Sequence, residues 1–225
     1  MSGIYIHIPF CKQACHYCDF HFSTNLKKKD EMVLALAKEI EMRNSEFQDE
    51  IVETIYFGGG TPSILQIADL KFLIDAVYKN FKVVENPEIT VEANPDDLTE
   101  NRIIELSNNK VNRLSIGIQS FFEDDLQLMN RAHNVEEAKK CLEIATHYFD
   151  NISIDLIYGV PEMSNEKWLQ NIETALSFGV PHISSYALTV EPKTALHSFI
   201  QKGIIPQPDD EVAQEHFHIL VDKLS

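Results

Sequence analysis

Six short runs of β-branched and aromatic residues, each followed by sequence of helical period, constrain this chain more than any other feature. The runs are Ile4–Ile8, Thr54–Phe57, Glu88–Ala93, Arg113–Ile118, Ile152–Ile157 and His182–Leu188. Between them, Val33, Leu36, Ala37 and Ile40 mark one helix face at i, i+3, i+4, i+7, and Leu70, Leu73, Ile74, Val77 and Phe81 mark a second. Trp168 or Leu169 with Ile172, Ala175 and Leu176 gives a third. Ser63 followed by Gln66 reads as a capping box opening the second helix. Strand-then-helix repetition of this kind implies an α/β fold, with a parallel sheet of right-handed βαβ units. Two closures satisfy it: an open doubly wound sheet, or a partial barrel with fewer than eight strands. In either, the loops leaving the carboxyl ends of the strands carry the chemistry. Gly203–Pro208 reads as a turn before a last amphipathic segment, Asp209–Leu224, which reaches the end of the chain without a capping glycine. The architecture is therefore expected to continue in a longer protein.

The composition allows one domain over residues 1–225, since 44% apolar and 24% charged residues suffice for a buried core. A net charge of −16 argues against nucleic acid and anionic membrane as partners, leaving membrane contact at most peripheral. The one short basic run, Lys27-Lys28-Lys29, sits beside Asp30 and Glu31 and reads as a solvated helix approach. No stretch approaches the roughly 18 consecutive apolar residues of a membrane span. The start of the chain lacks the basic and apolar regions of a secretory signal. Of four cysteines, three fall at positions 11, 15 and 18, and Cys141 stands alone. An odd cluster of three is a poor disulfide framework and a good metal-ligand set, and the setting reads as reducing and cytoplasmic.

Cys11, Cys15 and Cys18 form C-x3-C-x2-C on one loop after the first strand. Three thiolates so spaced can hold three corners of an iron–sulfur cube, leaving the fourth iron open. The alternatives are a zinc site completed by His16 or His21, or free thiols. The glycines of Tyr56-Phe57-Gly58-Gly59-Gly60-Thr61-Pro62 follow the second strand, and they let a ligand approach backbone with no Cβ in the way. Asp155 lies in an otherwise apolar strand, where an unpaired charge is costly, and so reads as functional. His7 reads as a hydrogen-bonded core imidazole, and His133 as a residue that orients its loop. His216 and His218, two apart on a helix, face different ways and do not share a metal. Cys141 reads as a small buried hydrophobe.

Taken together, these motifs resemble the radical S-adenosylmethionine (SAM) superfamily, and within it the HemN/HemW branch of oxygen-independent coproporphyrinogen III oxidases and their relatives. The resemblance rests on Tyr5–Cys11, Cys15–Phe20, Phe57–Pro62, Val91–Pro95, Leu114–Phe121 and Ser153–Pro161, in order along essentially the whole chain. It implies a partial (βα)6 barrel of the TIM type holding a [4Fe–4S] cluster. S-adenosylmethionine binds the open iron there, and one electron cleaves it to methionine and a 5′-deoxyadenosyl radical. Carried over by position, it makes Cys11, Cys15 and Cys18 the cluster ligands, with Tyr5 and Tyr17 packed beside cluster and cofactor. Gly59, Gly60 and Thr61 would contact the methionine end, and Glu92 would accept from a polar cofactor group. The neighbouring Asn94 and Asp96 read as helix caps. Gln119 suits ribose hydroxyls, Arg131 a carboxylate, Asp155 the cofactor site, and Ala187 lines the pocket through its backbone. For Arg131 the competing reading is an ion pair with Asp124 or Asp125.

The oxidases carry a fourth cysteine two positions after the third, where this chain has Phe20. Cys18-Asp19-Phe20 resembles the HemW branch, regarded as heme chaperones, so the resemblance implies heme or a porphyrin as a further ligand. It also implies a heme-acceptor protein and an electron donor such as a flavodoxin or ferredoxin. An enzyme on this pattern would be a coproporphyrinogen III dehydrogenase-like oxidoreductase. The His-Asn-x-x-Tyr motif of that branch is missing, for His133-Asn134 is followed by Glu137 where the tyrosine would stand. The chain is thus expected to be the radical SAM core without the C-terminal HemW-type region.

Overall fold

Alternation along the strands decides which way each side chain points and therefore what the sheet can cover. The computed structural model describes residues 2–47 and 50–225, with the side chain of residue 47 left aside. Its strands are β1 (Ser2–Ile8), β2 (Val52–Gly59), β3 (Val83–Ala93), β4 (Arg113–Gln119), β5 (Ile152–Tyr158) and β6 (His182–Ala187). The helices are α1 (Lys29–Met42), α2 (Ile67–Asn80), α3 (Glu100–Ser107), α4 (Glu123–Leu128), α5 (Val135–Tyr148), α6 (Asn165–Ser177), α7 (Ala195–Gln201) and α8 (Asp210–Leu224). All six strands are parallel and lie in sequence order, so the sheet has β1 and β6 as its edges and is not closed. A doubly wound sheet reverses strand order at a switch point. Strictly sequential order, with every crossover of the same hand, instead curls the sheet, and the partial barrel is the closure adopted.

Neighbours in register point to the same face. One row runs Ile6–Phe57–Val91–Leu114–Ile152, every member at most 3% exposed. This face packs on the helices through Leu70, Leu73, Ile74 and Val77 of α2, Ile103 and Leu106 of α3, Leu142 of α5, and Trp168 and Ile172 of α6. Burying each such side chain contributes about 1.5–3 kcal/mol. The opposite face carries Tyr5–Tyr56–Thr90–Arg113 in one row and Glu92–Ser115–Ser153–His182 in the next. Parallel strands covered on both faces read as continuous apolar runs. Strands such as Ile89-Thr90-Val91-Glu92-Ala93 alternate instead, because helices cover one face only and the other is left polar.

Several boundaries differ from the sequence expectation. β2 extends through Gly58 and Gly59, so the glycine run belongs to the strand end rather than to the loop after it. β3 begins at Val83, upstream of the expected Glu88, and carries Pro87 within it. β6 ends at Ala187. The helix cap expected at Ser63 is displaced: α2 opens at Gln66, whose N–H donates to Asp69 at 3.2 Å, and Ser63 lies in a short 3-10 turn with its hydroxyl on Asp97 at 2.6 Å. Proline at position 62 sets that turn and delays the helix by one step. The last helix spans Asp210–Leu224, with Asp209 capping Glu211 and Val212. Among the described residues no helix is long and apolar enough to cross a membrane.

Candidate functional site

The three clustered cysteines occupy the loop that leaves the carboxyl end of β1, and that loop is stitched down from several sides. Cys11 N donates to Ser23 O at 3.1 Å, and Ser23 N donates to Pro9 O at 2.9 Å, which folds the loop on itself. Gly60 N donates to Ile8 O at 2.8 Å and Thr61 N to Phe10 O at 2.7 Å, which ties it to the end of β2. His16 N donates to Met129 O, Gln13 to Asn130 O and Asn130 to Ala14 O, so the segment after α4 holds it from the far side. Leu196 N of α7 donates to His16 O at 2.8 Å, and Lys12 pairs with Asp96 and Asp97. A loop held at so many points keeps its side chains in place without being part of the core.

Cys11, Cys15 and Cys18 are free and partly exposed, with Cys18 N donating to Cys15 O at 3.3 Å. Burial raises the Cys11 and Cys18 thiols above their ordinary range, and the neighbouring cysteines add to the rise. Thr61 opposes it at Cys11 by a hydrogen bond that favours the thiolate. Arg131 Nη1 donates to Cys15 Sγ at 3.3 Å. His16, one of the two histidines considered as zinc ligands, places Nδ1 on Leu128 O at 2.8 Å, and His21 is exposed. Among the described residues no three His, Cys, Asp or Glu side chains are gathered to hold a metal ion. An iron–sulfur cluster takes one thiolate per iron, so its ligands need not meet at a single point. Three partly exposed thiols on one pinned loop, each beside a hydrogen-bond donor, fit that group.

The glycines have a different immediate cause from the one their spacing implies. A Cβ on Gly60 would lie 2.6 Å from Phe10 O and 2.8 Å from Ile8 O. On Gly58 it would meet the Tyr5 and Tyr56 rings, and on Gly59 the His7 imidazole at 2.5 Å. All three are needed by the chain's own packing. Gly59, at φ +111°, also donates its N–H to Glu92 at 3.0 Å, and Tyr56 donates to the same carboxylate at 2.8 Å. Burial and the Glu92 charge both raise the Tyr56 phenol, which stays protonated and donating. Tyr5 is 57% exposed and stacks on Tyr56 at 5.8 Å between centroids. His7, half-buried on the same polar face, is within 3.3 Å of the Tyr5 hydroxyl.

Arg131 is the hub of the opposite wall. Nη2 donates to Asn94 Oδ1 at 2.6 Å and to Gly117 O at 2.8 Å, and Tyr17 lies against the same guanidinium. The competing ion pair is not formed, because Asp124 and Asp125 are taken by Lys167 at 2.7 and 2.6 Å. Among the described residues Arg131 Nε is buried with no hydrogen-bond partner. Such an orphan costs about 1–3 kcal/mol unless a ligand satisfies it, and a carboxylate is its natural match. Gln119 is buried at the end of β4 at φ +69°, where the β4–β5 register slips between Gly117 and Gln119. That bulge swings its amide back over Gly117, whose missing Cβ would lie 2.8 Å from Gln119 Nε2 and 3.2 Å from Arg131 Nη2.

Asp155 stands beside Gly117 and Ser184 in register, facing the polar side. Burial and the Glu92 charge raise its carboxyl to about 6, against the pull of Arg131 and a Ser184 hydrogen bond. Ala187 ends β6 beside Tyr158, with its backbone at the rim. The cysteine loop, Glu92, Gln119 and Ala187 therefore sit at the carboxyl end of one sheet, with Arg131 reaching in beside Gly117 and Asp155 mid-strand on the same polar face. Sequence reasoning missed Tyr56, Gly117 and Asn94. Asn94 was expected as a cap, yet its side chain caps nothing and reaches Arg131 and Thr61 instead. His133 is buried, with Nε2 on Ile118 O at 3.0 Å; burial and the Arg131 charge lower it to about 4, so it is a neutral loop anchor. His216 accepts from Gly159 N at 3.1 Å, one residue beyond the carboxyl end of β5, and Cys141 is buried in α5.

The fold and the cysteine loop define a class, and comparison with known proteins agrees: residues 5–175 match the radical SAM superfamily, to which the chain belongs. It falls in the HemN/HemW branch. The heme chaperone HemW of Bacillus subtilis is 38% identical over 227 residues, covering 100% of this chain and 60% of that protein. The Escherichia coli heme chaperone HemW is 37% identical, covering 92% of this chain and 55% of that protein. Among solved structures, the radical SAM enzyme coproporphyrinogen III oxidase (HemN) from Escherichia coli superposes with a TM-score of 0.84 at 28% identity, covering 99% of this chain and 51% of that one. The chain spans about half to three-fifths of the length of these relatives.

Proposed function

We propose that this chain is the radical SAM core of a heme chaperone, a protein that binds a [4Fe–4S] cluster, S-adenosylmethionine and heme and hands the heme to an acceptor. The observation that carries the reading is the loop itself: three thiols held at the end of β1, with Phe20, 72% exposed, where the oxidases place a fourth. The relatives named heme chaperones support it. In this reading Cys11, Cys15 and Cys18 hold the cluster, which supplies one electron and an open iron to the bound cofactor. Arg131 offers its unpaired Nε to the cofactor carboxylate. Gly59, Gly60, Thr61 and Glu92 bound the methionine end, with Tyr5 and Tyr17 flanking. Gln119, Asp155 and Ala187 line the remainder. The Asp155 carboxyl, raised to about 6, is a hydrogen-bond donor below that pH and an acceptor above it. An electron donor of the flavodoxin or ferredoxin kind, a heme-acceptor protein and a reducing cytoplasmic setting complete the reading.

Anaerobic reconstitution tests it. The chain with rebuilt cluster should carry about four irons and four sulfides, bind S-adenosylmethionine and retain heme. The likeness to coproporphyrinogen III oxidase in fold supports a second reading, that oxidase activity, which predicts conversion of coproporphyrinogen III with release of 5′-deoxyadenosine. Protein that makes this conversion and retains no heme overturns the chaperone reading. Protein that takes up stoichiometric zinc and no sulfide overturns both.

A further inference from the structure

Between the two walls of the site runs a side-chain bridge whose centre is a single amide. Asn94 follows β3 in the loop that crosses to α3. Its Oδ1 accepts from Arg131 Nη2 at 2.6 Å, and its Nδ2 donates to Thr61 Oγ1 at 3.4 Å. Each partner in turn serves a different cysteine: Arg131 Nη1 donates to Cys15 Sγ at 3.3 Å, and the Thr61 side chain bonds to Cys11. Asn94 joins them, because an amide is acceptor and donor at once. Space for this bridge is kept by Gly117, whose Cβ would stand 3.4 Å from Asn94 Oδ1 and 3.2 Å from Arg131 Nη2. The shortest contact in this bridge is the charge-assisted one, a strong kind for fixing a guanidinium in one orientation.

We infer that Asn94 is a positioning residue that holds Arg131 on Cys15 and Thr61 on Cys11, and through those two donors sets the electron affinity of the cluster the thiols carry. The inference rests on the cluster reading above and goes beyond it. A hydrogen bond or a cation at a ligand sulfur stabilises the more negative, reduced state of an iron–sulfur centre, so such donors raise its reduction potential. Without the Asn94 amide, Arg131 keeps Gly117 O and its Tyr17 contact but loses its shortest bond, and Thr61 loses its donor, so both are held less firmly on the sulfurs.

The test is a redox titration of the reconstituted protein, followed by the electron paramagnetic resonance of the reduced cluster, with no S-adenosylmethionine added. Asn94→Ala should lower the reduced-to-oxidised ratio at a fixed applied potential about tenfold, which is about 59 mV for one electron. Asn94→Ser, which keeps a smaller hydroxyl in place of the amide, should fall between, and it decides the matter if the alanine variant does not fold. In an Arg131→Gln background, Asn94→Ala should add less than half of its shift, because the route through Arg131 is already cut. Full iron and sulfide in both Asn94 variants with the unaltered potential overturns the inference while leaving the cluster reading intact. Equal shifts with and without Arg131 overturn it too, since Asn94 would then act on the cluster by some other path. Absence of any cluster in the unaltered protein overturns both together.

Discussion

Gly60→Ala measures how firmly the end of β2 grips the cysteine loop. The added methyl would lie 2.6 Å from Phe10 O, 2.8 Å from Ile8 O and 2.9 Å from Phe10 N, all backbone atoms. None of these can rotate aside as a side chain would. Relief requires the two segments to part, which breaks Gly60 N to Ile8 O and Thr61 N to Phe10 O, bonds of 2.8 and 2.7 Å. Two such bonds contribute about 1 kcal/mol each, and overpacking adds about 1–3 kcal/mol, so the expected loss is about 3–5 kcal/mol. For a chain of this size about 2–4 °C accompanies each kcal/mol, which puts the fall in Tm at roughly 6–20 °C. Gly179→Ala is the matched control. It sits at φ +69° with nothing within 4 Å of the new Cβ, so its cost is backbone strain of about 1–2 kcal/mol. Thermal melts followed by circular dichroism compare the two. Equal melting temperatures, or a Gly60 variant as stable as the unaltered chain, would refute the argument that backbone contact rather than ligand access fixes glycine there.

Three further outcomes are expected. Asp155 has its carboxyl raised to about 6 from an ordinary 3.8, so the native state holds a proton that the unfolded chain has released. Stability is therefore lost as pH rises through 4 to 6, and Asp155→Asn should be the more stable protein above pH 6 by up to about 3 kcal/mol. Urea melts at pH 4 and pH 7 check it, and a gain of the same size at both values contradicts it. Cys15→Ala should abolish cluster assembly, read as loss of acid-labile sulfide, while the far-ultraviolet spectrum stays that of the folded chain. A globally unfolded variant would show that the loop is part of the core after all. Asn171 is fully buried and its Oδ1 accepts from Phe121 N at 2.7 Å and from Ser120. Asn171→Leu strands that buried N–H and should cost about 1–3 kcal/mol, a loss that denaturant melts would miss only if water reached Phe121.

The order of the strands and the helix faces could be read because each depends on neighbours close in sequence. Val91 and Glu92 point opposite ways by the strand's period alone, and so the polar and apolar faces follow. Cys11, Cys15 and Cys18 were legible for the same reason, all on one short loop. Asn94 was not, since its partners Thr61 and Arg131 lie 33 and 37 residues away and only the curl of the sheet brings them together. Nor was the conformation of Gln119, which depends on a register slip against β5 that no local pattern records. The packing demand on Gly60 was not legible, because spacing shows where Cβ is missing and not what would have met it. Ser63 illustrates a local failure: the right residue types stood at capping distance, and Pro62 diverted them into a tighter turn.

A sheet with helices on one face and a polar lining on the other divides its residues into two inventories. Stability rests on Ile55, Phe57, Ile89, Val91, Leu114 and their companions along β1 to β5. Thr90, Ser115, Ser153 and Ser184 occupy the intervening positions on the opposite face, so exchanging them re-tailors the lining and leaves the helix-facing rows as they are. Such a scaffold offers evolution a wide choice of guests at small risk to folding, with diversity expected in the lining and constancy behind it.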